Sequence, residues 1–256
     1  MKGIFHIILT MLTVLLILAP QTNFLLTLES LPAVLLLLLG AFIGSLTPDI
    51  DKGKGAAIYH SEIPGAGGKK FHLTPMFGYS IYYTCYKPLQ LIFRIIFGKK
   101  IYAIHGHREL PHSPIGILLI SVLLTLYIWL ICFALSFVPY LAFLNNNYLI
   151  YLFGAAFLLG CFLHLIEDTC DNSGIHYFYP FSFSRLRGTI KGDGTDINPT
   201  VYAVILLFAA VIIFSLTILG FIPAQFAYPL SLLVPIVLWV IFLRVSGVPA
   251  KKAIRE

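Results

Sequence analysis

Apolar residues run almost unbroken through six stretches, near 4–19, 31–46, 114–138, 148–168, 200–219 and 229–245, each closed by charges, prolines or polar turns. A hydrocarbon layer of ~30 Å takes about 18–20 such residues as a helix. The pattern therefore predicts an all-α, polytopic transmembrane bundle of about six spans, with the first two the shortest. The first stretch, preceded by Lys2, also has the outline of a signal peptide. However, Pro20 follows Ala19 and Ile17 stands where a cleavage site wants a small side chain, so an uncleaved anchor is the better reading. The longest polar interval, 47–113, holds a Gly-rich loop at Pro64–Gly68. It then holds an aromatic stretch, Tyr79–Phe97, with Lys87 and Arg94 inside it and Lys99 and Lys100 just beyond, which suits an interfacial helix on the cytoplasmic side.

Composition agrees: 59% of the 256 residues are hydrophobic and 11% charged, and mean hydropathy is +0.90, which excludes an ordinary soluble domain. No repeat or separate soluble unit is visible, so residues 1–256 read as a single integral membrane domain. Charge then orients it. The short intervals after the first, third and fifth spans contain no Lys or Arg, whereas Lys2, the 47–113 and 169–199 segments and the tail Lys251, Lys252 and Arg255 carry them. Retention of Lys and Arg in the cytoplasm places both termini inside. The net charge of +6 then faces anionic lipid headgroups, which makes the bilayer the expected partner. No nucleic-acid recognition module accompanies that charge, and no nucleic acid is expected. Cys85, Cys132, Cys161 and Cys170 form no CxxC pair and fall in spans or on the reducing side, so no structural disulfide is expected.

Three polar blocks gather at that cytoplasmic face. In Thr47-Pro48-Asp49-Ile50-Asp51 the proline favours an extended chain, in which side chains two apart share a side and offer two carboxylates to one cation. A solvated turn capping the helix exit is the plainer alternative. His105-Gly106-His107-Arg108-Glu109-Leu110-Pro111-His112-Ser113 supplies imidazoles of metal-ligand type, and Arg108 adds a planar fork suited to an anionic oxygen. In His164-Leu165-Ile166-Glu167-Asp168 the histidine and the second acid lie four apart on one helical face, with Glu167 beside it. Ionisable groups at the edge of the hydrocarbon are costly and usually serve a function, although a His/Asp pair joining two helices would also satisfy them.

Taken in order, Gly44-Ser45-Leu46-Thr47-Pro48-Asp49-Ile50-Asp51, His107-Arg108 with His112-Ser113, and Gly160, His164 and Asp168 with Gly174 and Tyr179-Pro180-Phe181-Ser182 resemble the YdjM-like family of predicted membrane-bound metal-dependent hydrolases of bacteria and archaea. The resemblance covers a core of about residues 44–183. It implies a helical protein of the cytoplasmic (inner) membrane with functional roles at Asp49, Asp51, His107, Arg108, His112, His164 and Asp168. Glu109, Asp171 and Lys52 depart from it, standing where glycine, threonine and histidine are usual. Lipid phosphatases of the phosphatidic acid type share a His-x-x-x-Asp element, but their Ser-Arg and Pro-Ser-Gly-His blocks are absent.

These readings combine into an expected metal-dependent hydrolase with Asp49, Asp51, His107, His112, His164 and Asp168 as ligands of a divalent ion. Zinc is favoured, with manganese or magnesium as alternatives. Arg108 would hold substrate charge, Glu167 would act as general base, and the substrate would be a phosphoester or another small or lipid-derived molecule. The competing classes are a metal or proton transporter and a non-enzymatic membrane scaffold.

Overall fold

The computed structural model describes residues 2–25, 27–60, 73–98, 109–182 and 184–248. Among the described residues eight principal helices follow one another: α1 Gly3–Leu18, α2 Leu31–Leu46, α3 Leu73–Ile81, α4 Lys87–Phe97, α5 Pro114–Leu135, α6 Asn147–Cys170, α7 Asn198–Ile218 and α8 Ala227–Val245. Their starts are written in the sequence. Proline occupies the first turn of α2, α4, α5 and α7, where a missing N–H costs nothing, while Ser113 and Asn146 cap α5 and α6 by accepting from Gly116 N and Leu149 N.

Among the described residues five helical stretches are long and apolar enough to cross a membrane: Leu28–Gly53, Pro114–Leu135, Asn147–Cys170, Asn198–Ile218 and Ala224–Val245. The first of these is α2 lengthened by short 3₁₀ turns at both ends. The expected opening span is the exception, since α1 has only 16 residues, or about 24 Å of helix. The outward faces of the spans are largely apolar, as at Leu118, Val122, Leu126 and Leu130 on α5 and Val201, Ile205, Phe208 and Ile212 on α7. Such faces are stable against lipid and not against water. Among the described residues there is no strand; two isolated bridges, Asp171 to Ile190 and Ile175 to Leu186, tie down the chain after α6.

The aromatic stretch forms α3 and α4, joined by a single π turn at Tyr82–Tyr86. It exposes Leu91, Ile92, Ile95 and Ile96 and buries Leu89 and Phe93 against the main core. The Gly-rich loop, Lys99, Lys100 and the terminal Lys251, Lys252 and Arg255 lie outside the described residues.

The most extensive helix pairing is α2 against α6. Small residues on both surfaces allow it: a Cβ at Gly40 would lie 2.6 Å from the Phe153 carbonyl oxygen, one at Gly44 2.1 Å from that of Phe157, and one at Gly160 2.3 Å from that of Ala41. Backbones this close gain dispersion and Cα–H···O contacts, which replace the hydrophobic drive that lipid cannot supply. The pairing brings the end of α2, carrying Asp49, against the last two turns of α6, carrying His164 and Asp168. On the other side of α6, α1 packs between α2 and α7, and α8 closes over α1.

Candidate metal centre

Proline 48 does not open the chain after α2. Its ring fixes φ near the helical value, and Thr47–Gly55 continues as 3₁₀ helix until Gly53 breaks it at φ 64°. The expected extended Asp-x-Asp, with both acids on one side, is therefore replaced by a turn in which residues two apart point in different directions. Asp49 turns inward and is 5% exposed. Asp51 approaches the far side of the His112 ring, with its Oδ2 3.7 Å from Nδ1.

His112 arrives from a 3₁₀ turn, Leu110–His112, directly before α5. Ser113 fixes that turn: its hydroxyl donates to the Leu110 carbonyl oxygen at 2.9 Å and accepts from Gly116 N at 3.0 Å. Gly116 is needed there because a Cβ would fall 1.7 Å from the same carbonyl oxygen. On α6, four-residue spacing stacks His164 over Asp168 as the sequence predicts, with Nε2 to Oδ2 at 3.6 Å.

These residues converge. Asp49, His112, His164 and Asp168 are all buried, and one ligand atom from each lies within 4.8 Å of every other. Four of the six separations fall in a narrow band: His112 Nε2 to Asp49 Oδ1 3.4 Å and to Asp168 Oδ2 3.5 Å, and His164 Nε2 to the same oxygens 3.7 and 3.6 Å. Such distances exceed a hydrogen bond, which closes to ~2.7–3.2 Å. They match two ligands of one ion, since bonds of ~2.0–2.1 Å at tetrahedral angles set donor atoms about 3.3–3.4 Å apart. The group can hold a metal ion.

The imidazoles are prepared for it. His164 Nδ1 donates to the Ser45 carbonyl oxygen at 2.6 Å, leaving the Nε2 lone pair facing the two carboxylates. Asp51 holds the corresponding position behind His112. Burial alone would drive the His112 imidazole down, but the surrounding carboxylates of Asp51, Asp168 and Asp49 outweigh it and push it up to about 10. Glu109, next to this turn, is pushed up to about 7 by burial and by Asp51. Lys52 reaches back from the 3₁₀ segment, its Nζ 2.5 Å from Asp49 Oδ1.

One participant carries no sequence motif. His6, on α1, is fully buried, with its ring stacked on that of His164 at 3.8 Å between centroids and 17° between planes. Its Nδ1 and Glu167 Oε2 share a hydrogen bond of 2.5 Å, and Thr10 Oγ1 lies 3.5 Å from the other oxygen of the same carboxylate. Glu167 thus faces α1 while its neighbour Asp168 faces the four-ligand group. The available signal for His6 was its type alone, an ionisable side chain within an apolar helix. Asp171 stays apart, its Oδ1 accepting from Ser173 N and Oγ at 3.1 and 3.0 Å in a local turn. His107 and Arg108 lie outside the described residues.

A cavity of about 390 Å³ reaches Asp49 from outside, lined also by Lys2, Lys52, His60, Gly3 and Gly192. Lys2 lies along Gly194, where a Cβ would meet its Cδ at 2.7 Å and where φ is +77°, so the 191–196 turn borders the cavity mouth. No curated protein and no solved structure matches the chain. The family model described as YdjM inner membrane protein matches residues 1–248, and the chain is a multi-pass membrane protein that belongs to that family.

Proposed function

We propose that this protein is a metal-dependent hydrolase of the cytoplasmic membrane that acts on an anionic phosphoester, soluble or lipid-borne, at the inner face. The observation that carries the reading is the set of four near-tetrahedral separations among Asp49, His112, His164 and Asp168, with the His164 tautomer fixed from behind by Ser45. A mixed set of two imidazoles and two carboxylates at those separations favours zinc, with manganese and magnesium next. A divalent ion there supplies the Lewis acidity that polarises a phosphoryl or carbonyl oxygen and makes water nucleophilic near neutral pH.

The chain's own residues supply the rest. Lys2 and Lys52 give the cavity that reaches Asp49 a cationic lining, which favours a substrate bearing phosphate. Lys52 moves between two tasks, neutralising Asp49 in the empty site and meeting substrate charge at the mouth. Asp51 orients His112, and Glu167 orients His6. In this reading both acids are positioning residues, and Glu167 acts through His6 instead of meeting water directly. Arg108 keeps the role its residue type suggests, a second contact to the anion.

Purified protein in liposomes, loaded with zinc, should hydrolyse a generic aryl phosphate or a phosphate-bearing lipid. Activity should vanish with chelator and return with metal, and Asp49→Ala and His164→Ala should be inactive and metal-poor. Metal flux into the liposomes without hydrolysis would replace the reading with transport. A folded protein that binds no metal would replace it with a scaffold.

A further inference from the structure

Asp168 has two carboxylate oxygens, and the four-ligand group uses Oδ2. Its Oδ1 lies 3.6 Å from His6 Nε2, the same separation that relates Oδ2 to His164 Nε2. His6 Nε2 is fully buried and has no hydrogen-bond partner among the described residues. A buried nitrogen lone pair facing a carboxylate at this distance is unfavourable unless something positive stands between them.

His6 Nδ1 and Glu167 Oε2 share a hydrogen bond of 2.5 Å, and with the proton on Nδ1 the ring presents an unprotonated Nε2 toward Asp168, the carboxylate–histidine arrangement that supports a metal ligand. Because the two rings are nearly parallel at 3.8 Å and both Nε2 atoms address one carboxylate, they present parallel lone pairs side by side. Two ions seated on those lone pairs and bridged by Asp168 would be separated by about the ring spacing, within the ~3.5–4 Å typical of two-metal hydrolytic sites.

We propose that the centre is binuclear: a second divalent ion binds His6 Nε2 and Asp168 Oδ1, with Asp168 bridging it to the first and Glu167 holding His6 in place. The proposal rests on the four-ligand site of the preceding reading, and its test separates the two. Full-length protein in detergent is stripped with chelator and reloaded with manganese(II) alone, then measured for bound manganese per chain and by electron paramagnetic resonance.

Wild type is expected to bind two equivalents with an exchange-coupled spectrum, and His6→Gln one equivalent with the six-line pattern of an isolated ion. One equivalent in both proteins overturns the second position and leaves the first standing; none in folded wild type overturns both. Glu167→Gln keeps an acceptor for His6 Nδ1 and covers the case in which His6→Gln fails to fold. It is expected to weaken only the second equivalent, by about 10–100-fold, and equal affinities for both equivalents in wild type and Glu167→Gln overturn the proposal.

Discussion

Replacing Gly44 with alanine should disable a site that the new methyl group never touches. The added Cβ would lie 2.1 Å from the Phe157 carbonyl oxygen, in the middle of the α2–α6 contact. Carbon–oxygen contacts of this kind close to about 3.3 Å, so the two backbones must separate by about 1.2 Å. Carried to the end of α2, that displacement opens the 3.7 Å between His164 Nε2 and Asp49 Oδ1 to about 4.9 Å. One ion with bonds of ~2.1 Å spans at most about 4.2 Å between two ligands even when they stand on opposite sides of it. Asp49 and His164 then cannot share a metal. Zinc affinity, measured by chelator competition on purified protein, should fall by at least about 100-fold. The overpacking itself should cost only about 1–3 kcal/mol in stability, readable as a lower melting temperature. Gly55→Ala, with nothing within 4 Å of its added carbon, is the control and should change neither quantity. An unchanged zinc affinity in Gly44→Ala would refute the claim that helix contact sets the ligand geometry.

Asp51→Asn, behind His112, should weaken zinc by about 10–100-fold without abolishing it, whereas Asp49→Asn should abolish it; equal effects would place both acids on the metal. Because the free-site imidazole of His112 stands at about 10, metal must displace its proton. Zinc affinity attributable to this group should therefore rise about tenfold per pH unit from 6 to 9, with proton release visible by calorimetry in buffers of different ionisation enthalpy. The same raised value makes the charged ring a source of stability in metal-free protein, fully present below its unfolded value near 6.5 and lost as pH rises through about 10. The melting temperature without metal should fall over that window and stay flatter with zinc bound. Ser113→Ala should cost about 1 kcal/mol through the lost cap of α5 and loosen the His112 turn, seen as a parallel loss of melting temperature and zinc affinity.

Hydropathy made the helices legible because each span is bounded by proline, glycine or a polar cap. The predicted 31–46 coincides with α2, and 229–245 begins two residues inside α8. The pairing of His164 with Asp168 was legible for a similar reason, since one helical period relates them. The Asp-x-Asp motif was harder. Proline favours both an extended chain and a first helical turn, and tertiary packing against α6 selected the turn, sending Asp49 and Asp51 to opposite sides of His112. His6 was legible only as an ionisable side chain in an apolar helix, set among Ile4, Phe5, Ile7 and Ile8, and the partner that gives it meaning, Glu167, stands 161 residues away.

The four-ligand group and His6 are drawn from four segments that leave the ribosome at widely separated times, and α7 and α8 contribute nothing to them. Each of α1, α2 and α6 thus enters the bilayer with a polar side chain whose partners are not yet made or not yet near, at a cost that approaches ~2.5–3.5 kcal/mol for an acid deep in the membrane. The debt is settled when α6 is complete, because its last two turns carry His164, Glu167 and Asp168 together. Biogenesis therefore has a natural checkpoint at that helix: a chain ending before Asp168 holds histidines and an aspartate with nothing to gather around, and is a ready substrate for membrane quality control.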